Sequence, residues 1–359
     1  MTIRERMMAV YRNRKPDRVP LGIYNRYHRI GKSERIARNA GMGILDFYPV
    51  ISLLAPPWHM HAGYLSEVKN CSFRIKYAWE NSNLVEERII ETPVGTLTQQ
   101  IIKDPSYGSD WVQKHYIQSG EDYKIMTYVI ENSLLISNEK AVEQRIGDLG
   151  EDGVVLGRVD RSPYQKLLIE LADPEHFLVD LITDPAPVET LMEAIDFRLD
   201  EQFDRAMNSD VEVIWQPDNI TTDMTPPDMF SKYCLPFYTK NGKKCREAGK
   251  VYAIHIDGKA GKLQEYLKQA PFDIVESFSV PMMGGDMEVE EALEIWPDKV
   301  ICPNFPASLC TAEESEIVSF LNELNESFNG RPYMVQLSED FNLDKYDHVL
   351  QILAKHFGK

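Results

Sequence analysis

Cysteine is scarce and occurs in none of the patterns that would give it a structural role. Cys71, Cys234, Cys245, Cys302 and Cys310 are the five in 359 residues, odd in number and without a CxxC pair. That excludes a disulfide framework and a zinc ribbon and points to a reducing cytoplasm. Long apolar runs are missing too: residues 48–55 form the longest and end at Pro56-Pro57, far short of the roughly 20 residues that cross a bilayer. The opening MTIRERMMAVYRNRKPDRVP lacks the apolar stretch of about 7–15 residues that a signal peptide needs, so a cytoplasmic location is expected. Positive charge is in deficit, 39 Lys and Arg against 56 Asp and Glu for a net −17, which opposes attachment to nucleic acid or an anionic membrane. No Gly/Ser linker or low-complexity tract divides the chain, and no GxGxxG or phosphate-binding loop follows a strand; GGD at 284–286 reads as a turn.

What is present is a folding composition, 43% apolar and 26% charged with 14 Phe, 17 Tyr and 5 Trp. From about residue 211, short β-branched runs at 211–216, 250–257, 272–278, 299–304 and 333–337 alternate with amphipathic stretches at 227–246, 259–269, 288–296, 312–325 and 343–357. Strands at 18–24 and 153–159 and helices at 174–182 and 187–208 add to the series, whereas 72–78, 84–92 and 95–102 read as antiparallel strands joined by Asn81-Ser82 and Pro93-Val94-Gly95 turns. The expected fold is α/β: a single (β/α)8 TIM-type barrel spanning 1–359, with an N-terminal antiparallel meander inserted at about 72–102. A doubly wound sheet is the alternative.

Barrel active sites collect at the C-terminal ends of strands. Those ends carry Asp218 and Asn219, His255 and Asp257, Glu276, Cys302 and Asn304, then Ser338 and Glu339. His255 and Asp257 lie two apart on one strand and share a face. With Glu276 and Glu339 on later strands they suit a divalent metal; a buried histidine satisfied by a carboxylate is the competing structural reading.

DRVP, TPVGTL, the Asp218-Asn219 pair, AIHIDG and GRPYMVQLSED together resemble the uroporphyrinogen decarboxylase superfamily along nearly the whole chain. The resemblance implies a TIM-type barrel and two branches: porphyrinogen decarboxylases, and zinc-dependent methyltransferases that exchange methyl groups with corrinoid proteins. The thiol-methylating enzymes hold zinc with a His-x-Cys pair and a later Cys. His255 matches their histidine, while Asp257 and Glu339 stand where the cysteines would be. Oxygen ligands make a harder, more Lewis-acidic centre that suits an oxygen substrate. The implied metal set is His255, Asp257, Glu276 and Glu339, with Cys302 as a weaker fifth candidate. The arginine-rich loop expected of a decarboxylase is replaced by YNRYHRIGKSER, in which Arg26 and Arg29 remain as acid-binding candidates, so decarboxylation takes second place.

LAPPWHMH resembles segments of the branch that demethylates aromatic methyl ethers. Tyr24, Trp58, His59 and Arg26 are therefore the substrate-binding candidates, set against the ordinary reading of aromatics as core packing. The expected activity moves a methyl group from a methoxyarene to the Co(I) corrinoid of a partner protein, with zinc or another divalent ion assisting, His255 catalytic, and Asp218 or Asn219 orienting substrate. The alternatives are a porphyrinogen-type decarboxylase and a non-catalytic module that binds a corrinoid protein.

Overall fold

The computed structural model describes residues 1–28, 31–55, 67–104, 110–339 and 343–358. In chain order the strands are β1 (Leu21–Tyr24), β2 (Met42–Pro49), β3 (Glu67–Val68), β4 (Ser72–Glu80), β5 (Asn83–Thr92), β6 (Gly95–Lys103), β7 (Trp111–Lys114), β8 (Ser133–Leu134), β9 (Gly153–Arg158), β10 (Val213–Gln216), β11 (Val251–His255), β12 (Ile274–Phe278), β13 (Val300–Pro303) and β14 (Val335–Leu337). Chain contacts divide the protein into two compact units. One comprises Met1–Tyr48, Glu139–Arg158 and Met207–Lys359; the other comprises Pro49–Asn138 and Val159–Ala206.

In the first unit, the β-branched runs expected as strands form one eight-stranded sheet in the order β13-β12-β11-β10-β9-β2-β1-β14. Neighbours run parallel, as in the registers Leu21↔Val335, Val213↔Val251 and Ala253↔Ile274. A parallel bridge between Asn304 and Gln336 joins the two ends of that order, giving the (β/α)8 TIM barrel. Alternate residues point inward, and Leu45, Leu156, Val213, Ala253, Ile274, Val300, Cys302 and Met334 fill the interior. Gly153 is required where β9 meets β2, because a Cβ there would lie 2.1 Å from the Ile44 carbonyl oxygen.

The helix Ile3–Tyr11 begins with a capping box, Thr2 accepting from the Glu5 amide while the Glu5 carboxylate accepts from the Thr2 amide. It delivers Met7, Val10 and Tyr11 to the same interior cluster, each worth roughly 1.5–3 kcal/mol of apolar burial at most. Strand β2 is absent from the sequence expectations. Gly43 and Asp46 interrupt its apolar pattern, and the denser run at 48–55 draws attention away from it.

In the second unit the meander is an antiparallel sheet of order β4-β5-β6-β7, one strand more than expected, β7 being too short to read. The helix Pro174–Thr183 starts on an Asp173 cap that accepts from the Glu175 and His176 amides. Beneath it, Lys166 is fully buried with Nζ 2.9 Å from Asp160 and 2.8 Å from Glu170, and Arg161 Nε lies 3.0 Å from the other Glu170 oxygen. Burial pulls the Lys166 ammonium down, but the two carboxylates outweigh it and hold it above the ordinary lysine range. No helix among the described residues is long and apolar enough to cross a membrane.

Candidate functional site

Inward alternation along the barrel strands brings four polar or aromatic side chains together at their C-terminal ends. β11 ends on His255, which pairs in register with Glu276 of β12, while β10 sets Trp215 beside Ala253 and β1 ends on Tyr24. Glu276 has no solvent exposure, a position that a carboxylate tolerates only when well supplied with donors. Three reach it. The Tyr24 hydroxyl donates to Oε1, the Trp215 indole N–H to Oε2 at 2.9 Å, and His255 Nδ1 lies 2.6 Å from Oε2.

An ionised carboxylate only accepts, so Nδ1 carries the proton in this pair and Nε2 is presented on the other side of the ring. There Asp257 Oδ2 stands 4.0 Å from Nε2, its other oxygen accepting from Ser279 Oγ at 2.6 Å. Burial first, then the Glu276 charge, pushes the Tyr24 hydroxyl well above its ordinary range, so it remains a donor.

An aromatic floor surrounds this group. The Phe47 ring lies 4.4 Å from Tyr24 and 4.2 Å from Trp215 between centroids, and Trp215 meets His255 edge-on at 6.0 Å. Such pairs contribute about 0.5–1.5 kcal/mol each beyond their burial and fix the ring planes. The Arg158 guanidinium, at the end of β9, stands 5.9 Å from the Trp215 centroid and brings a cation to the floor. Next to Glu276, Ser277 adopts φ +60 at a register shift in β12. Its amide donates to Gln336 Oε1 at 2.9 Å, and its hydroxyl lies 2.9 Å from Ser338 Oγ. A left-handed non-glycine residue costs roughly 1–2 kcal/mol, and these two bonds hold it in place.

The structure therefore gathers His255, Glu276, Asp257 and Tyr24. Glu339 lies at the end of β14, where its Oε1 accepts from Asn304 Nδ2 at 2.9 Å. Asp218 is fully buried and accepts from Tyr238 of the helix Leu235–Glu247. Burial and the Asp218 charge hold the Tyr238 hydroxyl and the Cys234 thiol well above their usual values. In that environment Asp218 braces the strand against the helix. Asn219 is exposed at φ +50 and turns the loop there. Arg26 is exposed with its guanidinium 4.6 Å from the Tyr27 ring centroid. Trp58, His59 and Arg29 lie outside the described residues.

Sequence reasoning missed Trp215, Phe47 and Arg158. Trp215 sits inside an anticipated strand, and its shared inward parity with Val213 was the available signal.

The donors fit a divalent metal in kind, imidazole nitrogen and carboxylate oxygen, and His255 is backed by a carboxylate as metal-binding histidines are. In placement they fall short of the four-ligand set. Glu276 has both oxygens engaged by protein donors, and among the described residues no group of three or more His, Cys, Asp or Glu stands together to hold an ion. Cys302, in register with Glu276, is buried in the interior, its thiol pushed up by burial and by the Glu276 charge.

Comparison with known proteins follows this geometry. The chain is similar over its full length to a methyltransferase from Methanosarcina mazei, with a TM-score of 0.58, 12% identity, and 99% of this chain and 98% of that one covered. A D-psicose 3-epimerase from Clostridium cellulolyticum H10 is similar at a TM-score of 0.37 and 12% identity, covering 60% of this chain and 83% of that one. No significant match is found among curated protein sequences. Residues 166–338 match the family model of uroporphyrinogen decarboxylase (URO-D). Over residues 166–338 the chain is thus similar to uroporphyrinogen decarboxylase, and its fold is a TIM barrel.

Proposed function

We propose that the protein is a methyltransferase that takes the methyl group of an aromatic methyl ether and passes it to the Co(I) corrinoid of a partner protein. The observation that carries this reading is the His255–Glu276 pair set into an aromatic floor at the barrel mouth. A flat, apolar donor stacks where Phe47, Tyr27 and Trp215 offer ring surface, while the imidazole supplies the polar contact. The activity named for the Methanosarcina mazei protein of the same fold and the family domain at 166–338 support methyl transfer as the reaction class.

The chemistry sets the demand on these residues. The methyl carbon leaves the ether oxygen as a new carbon–cobalt bond forms with the electron pair of Co(I). The pair of the broken C–O bond stays on the aryl oxygen, and one proton delivered there gives the phenol. Phenolate is a poor leaving group, its conjugate acid having a pKa of about 10, so charge on that oxygen must be met as it develops. His255 is placed to do this from Nε2, because Glu276 fixes the ring and stabilises a positive imidazolium.

A zinc or similar divalent ion would be held by His255 and Asp257, would need Glu339 to leave Asn304 to become a third donor, and would supply Lewis-acid stabilisation of the same oxygen. Elemental analysis of wild type, His255→Ala and Glu339→Ala tests this part: near-stoichiometric metal in wild type that falls in both variants supports it, and a wild type that binds no added zinc rejects it.

The whole reading is tested by offering veratrole, guaiacol or syringate with cob(I)alamin. Methylcobalamin and the corresponding phenol should appear in equal amounts. No turnover across the panel would reject the substrate class, and carbon dioxide release from a porphyrinogen would establish the decarboxylase alternative.

A further inference from the structure

Among the described residues, the antiparallel sheet of the second unit ends on an open strand. There β4 pairs only with β5, through nine consecutive residue pairs from Ser72↔Glu91 to Glu80↔Asn83 without a bulge. All nine of its residues are exposed. Phe73, Ile75, Tyr77 and Trp79 alternate along one face, and Trp79 is 75% exposed. Natural edge strands are kept short, charged, bulged or interrupted by proline because an open edge pairs with other chains. β4 is long and has neither bulge nor proline, so the charges of Arg74, Lys76 and Glu80 on its opposite face govern what it can pair with.

We propose that β4 pairs antiparallel with β4 of a second copy of this chain, centred on Tyr77, joining two four-stranded sheets into one of eight. The charges select this register. A two-fold axis perpendicular to the sheet sets residues of equal parity opposite each other. Centring on Lys76 would oppose Lys76 to itself, and centring on Ile75 would oppose Arg74 to Lys76. Centring on Tyr77 sets Arg74 against Glu80 twice on one face, and Ile75 against Trp79 twice, with Tyr77 against Tyr77, on the other. Opposite-charge and aromatic–aliphatic cross-strand pairs are each favourable, whereas like charges directly opposite are not. A register centred on Ala78 also avoids like charges but shortens the paired segment. Within each sheet the Arg74–Glu91 and Lys76–Glu87 ion pairs tie β4 to β5.

Sedimentation velocity over a dilution series tests the proposal. Wild type should sediment as a reversible dimer. Arg74→Glu and Glu80→Arg should each weaken dimerisation about tenfold or more, and the double variant, which restores opposite charges across the axis, should recover it. Recovery in the double variant also shows that the single variants failed at the interface and not in folding. A wild type that is monomeric throughout overturns the proposal and leaves β4 to a different protein. A dimer indifferent to all three variants overturns it equally.

Discussion

His255 Nδ1 and Glu276 Oε2 lie 2.6 Å apart at the ends of adjacent parallel strands, so one imidazole nitrogen is committed to a carboxylate that has no contact with solvent. The proton on Nδ1 fixes the tautomer, and the carboxylate stabilises any positive charge the ring acquires. In the proposed reaction His255 would meet the substrate and Glu276 would position the ring.

Glu276→Gln keeps the shape of the side chain and removes its charge. Turnover in the methyl-transfer assay should fall by about 10–100-fold, the usual cost of losing the partner behind a functional histidine. Its pH profile should shift as well, because the imidazolium has lost its counter-charge. A variant with wild-type turnover and an unchanged profile would make the pair a purely structural one.

Arg158 offers a cation beside the Trp215 ring. Arg158→Met should raise KM for syringate, which carries a carboxylate, by about tenfold or more while changing KM for neutral veratrole little. Equal effects on both donors would remove Arg158 from substrate recognition.

Lys166 is the buried centre of an ion-pair group with Asp160 and Glu170. Lys166→Met leaves Asp160 without its ammonium and Glu170 with Arg161 alone, and should destabilise the protein by about 3–5 kcal/mol. Urea denaturation reads this directly, and a loss below about 1 kcal/mol would show that water or Arg161 replaces the ammonium.

Lys299 gives a pH signature of the same sense as acid denaturation, stability rising with pH, but in the alkaline range. Burial lowers its pKa to about 8, against the opposing charges of Asp273 and Asp298, while Nζ donates to the Ala270 and Phe272 carbonyls. Below about pH 8 the lysine is charged in both states, and burial penalises the folded one. Between about 8 and the unfolded value near 10.4 the folded state holds fewer protons, so the Lys299 contribution to stability rises with pH. The urea midpoint of wild type relative to Lys299→Met should therefore increase over that window. A constant difference would place the lysine in water.

The barrel was legible where strand chemistry was dense: 250–257, 272–278 and 333–337 each contain the observed β11, β12 and β14. β2 was not, because Gly43 serves it through close approach to Met7 and Ile3 of the N-terminal helix and Asp46 through an ion pair with Arg145, contacts that lie far away in sequence. The site divides in the same way. The two-residue spacing of His255 and Asp257 predicts a shared face, and the structure puts their side chains within 4.0 Å. By contrast, Tyr24 serves as a donor to Glu276, a partner 252 positions away. Nothing local in YNRYHRIGKSER encodes that bond. It follows from barrel closure, which sets the end of β1 across from β12.

The same span has a consequence for how the protein comes into being. Tyr24, Trp215, His255 and Glu276 belong to strands scattered from the first to the twelfth, and the Tyr24–Glu276 contact encloses most of the chain. Loops of that size close late, after the entropy of a long segment has been surrendered. On the ribosome, Tyr24 is made long before the carboxylate it will serve exists, and no N-terminal fragment lacking β12 contains the His255–Glu276 pair. The Tyr24–Glu276 hydrogen bond, which joins the strands next to the two ends of the sheet order, thus waits on the closing of the barrel.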